Sequence, residues 1–190
     1  GGNVIMTSPD HQSGTDRCRE ALESVENLPG PGYDIVINIQ GDEPFIRPEM
    51  ISQLIDSFTD ERTQIATLVK MIHDPEEIND PNKPKVVRDK DNFALYFSRS
   101  PIPYVRSVEV SSWIKHTVFY RHIGIYAYRA DILREITVMD RSDLERAESL
   151  EQLRWLEEGF RIKAMETEFD SPGIDTPDDL KKLIASGIRF

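Results

Sequence analysis

Residues 34–44 constrain the fold of this 190-residue chain more than any other part of the sequence. The apolar run 35–39 predicts a buried strand of a parallel sheet, and the motif Gln40-Gly41-Asp42-Glu43-Pro44 ends that strand. The glycine permits tight backbone geometry, and the proline prevents the strand from continuing. Asp42 is therefore expected just beyond the carboxyl end of a central strand, where open α/β sheets bind their ligands.

The rest of the sequence predicts strands that alternate with helices, a pattern typical of an α/β fold. We expect one domain over residues 1–190, with a mostly parallel central sheet flanked by helices. The predicted strands are 4–6, 35–39, 65–72, 85–88, 93–97, 119–128 and 162–168, and the predicted helices are 16–25, 48–58, 131–137, 142–158 and one that opens at Thr176. Residues 85–97 have the pattern of a hairpin. Together with the proline-containing stretch that follows, to about residue 118, this hairpin is expected to form an insertion packed on the sheet.

The composition excludes several classes of protein. A net charge of −11 and a pI near 4.8 argue against a nucleic-acid partner, because phosphate backbones select basic faces. Cys18 is the only cysteine, which rules out an intramolecular disulfide framework and a cysteine-rich zinc site, and a reducing cytoplasm is the simplest compartment. No apolar run approaches the roughly 18 residues of a membrane span, so no membrane association is expected.

Two aspartates at the borders of predicted elements are candidate metal ligands. Asp42 follows the strand described above, and Asp175 precedes the last predicted helix in the motif Gly173-Ile174-Asp175-Thr176-Pro177. Carboxylates at such borders suit Mg²⁺, which prefers a few carboxylates together with substrate phosphates. The alternative is that Asp175 only flanks a helix N-terminus, where negative charge is favourable.

A polar loop before the first predicted helix is a candidate nucleotide site. Its sequence is His11-Gln12-Ser13-Gly14-Thr15-Asp16-Arg17. A glycine-containing loop that leads into a helix offers backbone N–H groups and hydroxyls to a nucleotide. The alternative is an ordinary strand-to-helix loop that ends in a serine or threonine cap.

A polar face on the predicted strand 119–128 is a third candidate. Strand alternation places His122, Gly124, Tyr126 and Tyr128 on one face, with a small residue where a ligand could approach. The alternative is a histidine and tyrosines in the core, satisfied by neighbouring backbone groups.

Three further polar residues could complete a binding pocket. Arg99 follows a predicted strand and could hold a carboxylate through two parallel hydrogen bonds, unless it is only a surface arginine. Glu151 and Gln152 belong to the predicted helix 142–158 and could lean towards a cleft or face solvent. The motif Asp89-Lys90-Asp91 is found in some glycosyltransferases, but its place between two apolar segments favours a hairpin turn.

Taken together, these motifs resemble the 3-deoxy-manno-octulosonate (Kdo) cytidylyltransferases, also called CMP-Kdo synthetases. The matching blocks follow one another along nearly the whole chain: residues 11–17, residues 40–44, Ala94-Leu95-Tyr96-Phe97-Ser98-Arg99, Arg121-His122-Ile123-Gly124-Ile125-Tyr126, Glu148-Ser149-Leu150-Glu151-Gln152-Leu153-Arg154 and Asp175-Thr176-Pro177. Their joint order and spacing make the resemblance specific.

The resemblance implies a fold like that of the nucleotide-diphospho-sugar transferases and transfer of CMP from CTP to Kdo, with release of pyrophosphate, for lipopolysaccharide biosynthesis. It implies Mg²⁺ at Asp42 and Asp175, and a homodimer joined partly through the inserted region. The residues implied for the cytidine nucleotide are His11, Ser13, Gly14, Thr15, Arg17 and Gln40. The residues implied for Kdo are Arg99, His122, Tyr126, Glu151 and Gln152.

The chain departs from the family pattern at its start. The family begins with a strand and a basic loop that grips the triphosphate, whereas the first residues here already match a later strand. We therefore expect a cytidylyltransferase domain that lacks its N-terminal strand and nucleotide loop. The alternatives are a cytidylyltransferase for sialic acid or another acidic sugar, a glycosyltransferase that uses residues 89–91, and a truncated dimerisation or sugar-binding module without activity.

Overall fold

The computed structural model describes residues 3–30, 32–41, 43, 45–170 and 181. The α-helices in this part of the chain are α1 (Gly14–Glu26), α2 (Pro48–Asp56), α3 (Pro75–Ile78), α4 (Ala130–Ile136), α5 (Asp143–Glu148) and α6 (Gln152–Glu157). The strands are β1 (Ile35–Asn38), β2 (Ile65–Met71), β3 (Lys85–Arg88), β4 (Ala94–Ser98), β5 (Tyr120–Arg129) and β6 (Ile162–Glu166). Short 3₁₀ helices cover Ser57–Thr59 and Val110–Lys115.

The six described strands form one sheet in the order β4-β3-β5-β2-β6, and β1 also pairs with β5. Strands β1, β2, β3 and β6 point in the same direction, but the central β5 runs opposite to its neighbours. Among the described pairings only β2 with β6 is therefore parallel. The predicted α/β fold is confirmed, whereas the expected mostly parallel pairing is corrected. Apolar runs indicate that a strand is buried, but they carry no information about its direction.

Strand β5 joins two parts of the sheet, because β1 and β3 share one of its edges while β2 lies along the other. At the shared edge, Asn38 of β1 is opposite Tyr126, and Lys85 of β3 is opposite Arg121. We call the stretch between these two pairs, residues 122–125 of β5, the seam. Since β1 ends at the seam, the polar residues that follow β1 are brought beside it.

A β-bulge interrupts the pairing of β5 with β2 inside the seam. Thr67 is opposite Tyr126, but the next residue, Leu68, is opposite Ile123, so residues 124–125 have no counterpart in β2. Bulges bend a strand and are common beside active sites, where they redirect side chains.

Helices cover both faces of the sheet. One face packs against α1, α4 and α6 in a cluster that includes Trp155 and Tyr128, and the other packs against α2 through Met50 and Leu54. The alternating side chains of β2 and β5 divide between these two clusters, as a pleated strand requires. None of the helices among the described residues has the length and apolar character required to cross a membrane.

Three expectations about secondary structure need correction, and a fourth falls outside the described residues. Residues 4–6, predicted as a strand, have no regular secondary structure. The predicted helix 142–158 is divided into α5 and α6, because Ser149 adopts a left-handed conformation (φ 51°, ψ 48°) that ends α5. The hairpin of β3 and β4 extends the sheet through β5 instead of packing on it. The helix predicted from Thr176 lies outside the described residues.

Candidate active site

The N-terminus of α1 lies directly against the end of β1. A Cβ atom built on Gly14 would be 3.2 Å from Asn38 Nδ2 and 3.4 Å from Gln40 Nε2. Ser13 is the N-cap of the helix, and its hydroxyl oxygen accepts a hydrogen bond from the backbone N–H of Asp16 over 3.2 Å. A side chain at position 14 would press on these two amides, and the structure brings together Ser13, Gly14 and Gln40 of the predicted nucleotide set.

A chain of hydrogen bonds connects this loop to α6. The buried Thr15 donates from Oγ1 to Glu151 Oε2 over 2.9 Å, and Arg154 Nη2 donates to Glu151 Oε1 over 3.0 Å. Arg154 also donates to the Met139 carbonyl over 2.7 Å, and its Nε lies 3.4 Å from Glu145 Oε2. Both carboxylate oxygens of Glu151 are therefore held in place, and the side chain does not simply face solvent.

The environment of Glu151 changes its acidity. Burial raises the pKa of its carboxyl group above the ordinary value, while the hydrogen bond from Thr15 and the charge of Arg154 oppose this change. A hydrogen bond from Ser13 also lowers the pKa, and the negative charge of Asp16 raises it. The result is a half-buried carboxylate, which is a strong acceptor for hydroxyl donors.

His122 and Tyr126 are neighbours on one face of β5, as strand alternation predicted. Their ring centroids are 5.3 Å apart, and Phe97 meets the imidazole edge-on at 5.1 Å. His122 Nε2 is 2.9 Å from Thr67 Oγ1. Burial lowers the pKa of His122 to about 3, so the imidazole is neutral near neutral pH.

Two buried polar atoms beside these groups have no hydrogen-bond partner within the described part of the chain. They are Tyr126 Oη and Gln152 Nε2, on residues that are 8% and 4% exposed. An unpaired buried polar group costs about 1–3 kcal/mol, and a ligand rich in hydroxyls would remove that cost. Among the described residues, Tyr126 Oη therefore has none of the backbone partners that the alternative of a satisfied core tyrosine requires.

Arg99 is anchored to the backbone more firmly than a surface arginine. Its Nε donates to the Glu148 carbonyl over 2.6 Å, Nη1 to the Pro81 carbonyl over 2.8 Å and Nη2 to the Ser149 carbonyl over 3.2 Å. These bonds hold the break between α5 and α6. Each terminal nitrogen retains one further N–H, so the guanidinium still has two donors for a ligand carboxylate.

His11 and Arg17 make contacts within the N-terminal part of the chain. His11 Nε2 bonds the Glu20 carboxylate, which also accepts from the Ser8 N–H over 3.0 Å. Arg17 Nη1 donates to Thr7 Oγ1 over 2.5 Å and to the Ser8 carbonyl over 3.1 Å. In this geometry both side chains fix residues 7–11 against α1, so their role towards a nucleotide stays a prediction.

Comparison with known proteins identifies the family. A family model described as cytidylyltransferase matches residues 1–165. The 3-deoxy-manno-octulosonate cytidylyltransferase of Parabacteroides distasonis is 53% identical over 189 residues, which are 97% of this chain and 74% of that protein. The chain belongs to the 3-deoxy-manno-octulosonate cytidylyltransferase family. The Phocaeicola vulgatus member of this family is 55% identical over 188 residues, which are 97% of this chain and 73% of that protein.

A solved structure of a similar cytidylyltransferase supports the same assignment. It is CMP:2-keto-3-deoxy-manno-octonic acid synthetase complexed with CTP, which is 42% identical and superimposes with a TM-score of 0.86. The match covers 99% of this chain and 74% of that one. The predicted family and the predicted α/β fold with helices around a central sheet are both confirmed.

The two metal ligands predicted for this cytidylyltransferase, Asp42 and Asp175, lie outside the described residues. Glu43, the neighbour of Asp42, is described, and its Oε1 would be 3.4 Å from a Cβ atom built on Gly124. The acidic turn after β1 therefore reaches the seam, and carboxylate oxygens there are of the kind that Mg²⁺ prefers. Residues 3–170, apart from the undescribed positions, contain no cluster of three or more acidic, histidine or cysteine side chains that could hold a metal.

The motif Asp89-Lys90-Asp91 forms the hairpin turn that the sequence favoured. Asp89 Oδ1 accepts from the backbone N–H groups of Asp91 and Phe93 over 2.9 and 2.8 Å. Asn92 adopts a positive φ of 64°, which asparagine tolerates better than most residues. The two aspartates therefore serve the turn and an ion pair between Asp91 and Arg62.

Sequence reasoning missed three residues of the cytidylyltransferase site: Asn38, Thr67 and Arg154. Asn38 is buried at the end of β1 and approaches Gly14. A polar residue inside an apolar strand was the available signal for Asn38 and for Thr67. Arg154 is buried although arginine is rarely so, but its helical spacing gave no sign of the carboxylates that hold it.

Proposed function

We propose that this cytidylyltransferase transfers CMP from CTP to the anomeric hydroxyl of Kdo and releases pyrophosphate. The observation that carries the proposal is the hydrogen bond from Thr15 to Glu151, because it joins the residues proposed for the nucleotide, at the start of α1, to a residue proposed for Kdo. Membership of the family and the names of its close relatives support the choice of CTP and Kdo.

The reaction needs two substrates held in line. The anomeric oxygen of Kdo attacks the α-phosphorus of CTP, the bond to the bridging oxygen of pyrophosphate breaks, and pyrophosphate leaves with that electron pair. The hydroxyl proton is released to water. No covalent intermediate with the protein is required, so catalysis rests on positioning and on electrostatic stabilisation.

The residues proposed for Kdo have the groups that an acidic, hydroxyl-rich sugar needs. Arg99 has two N–H groups left for the carboxylate of Kdo, and Glu151 is an oriented acceptor for hydroxyls. The unpaired atoms Tyr126 Oη and Gln152 Nε2 would gain partners on binding, and the neutral His122 offers one more polar nitrogen.

The nucleotide is assigned to the loop before α1. We propose that Ser13, Gly14, Thr15 and Gln40 contact cytidine nucleotide, together with His11 and Arg17 as the resemblance implies. Gly14 lets the loop lie close to β1, so a nucleotide beside it would be near both the turn after β1 and Glu151.

Mg²⁺ is proposed as the cofactor, with Asp42 and Asp175 as its ligands. The acidic turn at residue 43 reaches the seam, and this supports the proposal of a metal site at the end of β1. A bound Mg²⁺ would neutralise phosphate charge during transfer. A homodimer joined partly through residues 85–118 is also proposed, and the cytoplasmic location stays a prediction.

Release of pyrophosphate tests the proposed activity directly. The purified chain is incubated with CTP, Kdo and Mg²⁺, beside the Parabacteroides distasonis relative as a positive control. We expect release that requires both CTP and Kdo. Release with N-acetylneuraminate but not with Kdo would replace Kdo by another acidic sugar, and release with neither sugar, while the control is active, would contradict the activity of this chain.

A pair of aspartate variants tests the metal proposal. Asp42→Asn should remove Mg²⁺-dependent turnover while leaving the melting temperature nearly unchanged. Asp91→Asn is the control, because Asp91 belongs to the hairpin turn and an ion pair with Arg62. Retained turnover in Asp42→Asn would refute the metal role, and lost turnover in Asp91→Asn would favour the glycosyltransferase hypothesis.

A further inference from the structure

Thr67 is a buried polar residue whose hydroxyl meets three partners at the bulge in β5. Its Oγ1 is 2.8 Å from the Ile125 carbonyl oxygen, 3.1 Å from the Ile123 carbonyl oxygen and 2.9 Å from His122 Nε2. The residue is 0% exposed, so water does not complete this arrangement. The hydroxyl thus occupies the position where the bulge has interrupted the ladder between β2 and β5.

The hydrogen inventory of these groups allows one favourable arrangement. A threonine hydroxyl has a single hydrogen to donate, and carbonyl oxygens only accept. Because two carbonyl oxygens lie within reach of Oγ1, the hydroxyl donates to the backbone, most directly to Ile125 at 2.8 Å. If the hydrogen pointed at His122 instead, the Thr67 oxygen would face both carbonyl oxygens without a hydrogen between them. The remaining lone pair of Oγ1 is therefore available to accept from His122 Nε2.

We infer that Thr67 is a positioning residue that fixes His122 as the tautomer with the proton on Nε2. Nδ1 then has a lone pair and accepts a hydrogen bond from a hydroxyl of the bound sugar acid. The first part of this inference concerns the free protein, and the second rests on the proposed binding of Kdo beside β5.

Three observations on the surroundings of His122 support the assignment. Phe97 and Tyr126 contact the ring at centroid distances of 5.1 and 5.3 Å, which limits its rotation. Burial keeps the imidazole neutral, so one ring nitrogen carries no hydrogen. Within the described residues Nδ1 forms no hydrogen bond, and part of the His122 surface remains accessible to solvent.

The consequence is that Nδ1 of His122 accepts hydrogen bonds and does not donate them. A neutral imidazole whose Nε2–H is already used can receive a hydroxyl hydrogen at Nδ1 but cannot donate one there. Without Thr67 the Nε2–H group would lose its acceptor, so the tautomer with the proton on Nδ1, which cannot accept from the substrate, would become the favoured one. When only a fraction of the protein holds the tautomer that binds, the apparent affinity for the ligand is reduced in proportion to that fraction.

Nitrogen NMR on the ¹⁵N-histidine-labelled chain tests the tautomer without any need for activity. The chain has four histidines, so the His122 signals are assigned by their loss in His122→Gln. We expect the ¹⁵N chemical shifts of an unprotonated Nδ1 and a protonated Nε2 in the wild type. The same shifts are expected in Thr67→Ser, which keeps the hydroxyl. A proton on Nδ1 in the wild type, or unchanged signals in Thr67→Val, would overturn the inference.

Steady-state kinetics test the consequence for the sugar. Thr67→Val should raise the KM for Kdo by about five- to tenfold and leave the KM for CTP unchanged, and Thr67→Ser should restore the KM for Kdo. Equal increases in both KM values would show a general structural role and contradict the inference. If the wild type does not use Kdo, the proposed function fails, whereas the NMR result still decides the role of Thr67.

Discussion

Thr15 Oγ1 donates a hydrogen bond to Glu151 Oε2 over 2.9 Å, although the two residues are 136 positions apart in the chain. The bond connects the first turn of α1 to the N-cap residue of α6. It also contributes to keeping the Glu151 carboxyl group ionised against the effect of burial. Nucleotide binding and sugar binding are therefore expected to influence each other through this contact.

The acid side of the pH profile should depend on Glu151. Burial raises its pKa, so the carboxylate takes up a proton as the pH falls while an exposed glutamate would still be ionised. The value of kcat/KM for Kdo should therefore fall on the acid side, with an apparent pKa above the ordinary value of a glutamate. Glu151→Gln should lower kcat/KM and remove this pH dependence.

The effect of Glu151 on the free energy of unfolding has the opposite pH dependence to its effect on kcat/KM. Because the folded-state pKa is above the unfolded value, ionised Glu151 costs stability above the folded pKa, and this cost disappears as the pH falls through it.

Glu157→Gln is the matched control for the kinetics of Glu151→Gln, since Glu157 lies at the end of α6 and is exposed. An acid limb that persists unchanged in Glu151→Gln would assign it to another group.

Gly14→Ala should weaken nucleotide binding more than it weakens the fold. The added Cβ would be 3.2 Å from Asn38 Nδ2 and 3.4 Å from Gln40 Nε2, so these side chains must move. We expect the KM for CTP to rise about tenfold, in keeping with the cost of overpacking. The melting temperature should change little, because alanine favours a helix by about 1 kcal/mol over glycine.

Gly30→Ala provides the comparison for this substitution. Nothing lies within 4 Å of a Cβ atom built on Gly30, so the change adds the same methyl group in open space. Its KM for CTP should equal that of the wild type. A KM for CTP that is the same in both variants would show that the loop before α1 does not contact the nucleotide.

Tyr126→Phe should stabilise the free protein and weaken sugar binding at the same time. The hydroxyl is buried without a partner among the described residues, and its removal should increase the free energy of unfolding by about 1 kcal/mol. The KM for Kdo should rise several-fold, because the ligand loses a hydrogen bond. Urea unfolding and steady-state kinetics measure the two effects.

Tyr128→Phe separates these effects. Tyr128 stacks on Tyr126, but its hydroxyl lies 3.4 Å from Thr15 Oγ1 and so has a partner. This variant should not be stabilised and should leave the KM for Kdo nearly unchanged. If Tyr126→Phe destabilises the protein as much as Tyr128→Phe, the hydroxyl of Tyr126 is satisfied in the free protein.

Arg99→Ala should affect both stability and sugar binding. Its three hydrogen bonds to backbone carbonyls hold the break between α5 and α6, and we expect a loss of about 2–3 kcal/mol of unfolding free energy. The KM for Kdo should rise far more than the KM for CTP. Arg106→Ala is the control, because Arg106 is exposed. Equal effects of Arg99→Ala on both KM values would reject the carboxylate clamp.

Most strands and most helices could be predicted from the sequence because their signals are local. The apolar run 35–39 became β1, and the apolar spacing in 16–25 became α1, each within about two residues. The left-handed conformation of Ser149 could not be predicted, since serine has no special preference for it and the apolar spacing continues through the break. The direction of β5 depends on partners far away in the chain and has no local signal.

The site residues also divide into those that have a local signal in the sequence and those that do not. Motifs selected Gly14, His122, Tyr126 and Glu151, and the structure brings them to the seam or to the loop beside it. Their supports could not be predicted, because Thr67 and Arg154 act through residues distant in sequence. Only the fold shows that Arg99 is anchored by the carbonyls of residues 81, 148 and 149.

The seam in the sheet has a consequence for how such enzymes can diverge. β1 and the loop before α1 approach the shared edge of β5 from one end, and β3 and β4, which lead to Arg99, approach it from the other. If Arg99 binds Kdo as proposed, substitutions on the β3 side should alter the choice of acceptor while the residues at the start of α1 stay intact. Descendants of one ancestral scaffold could acquire new sugars in small steps, and chimeras exchanged at β5 are a practical way to retrace them.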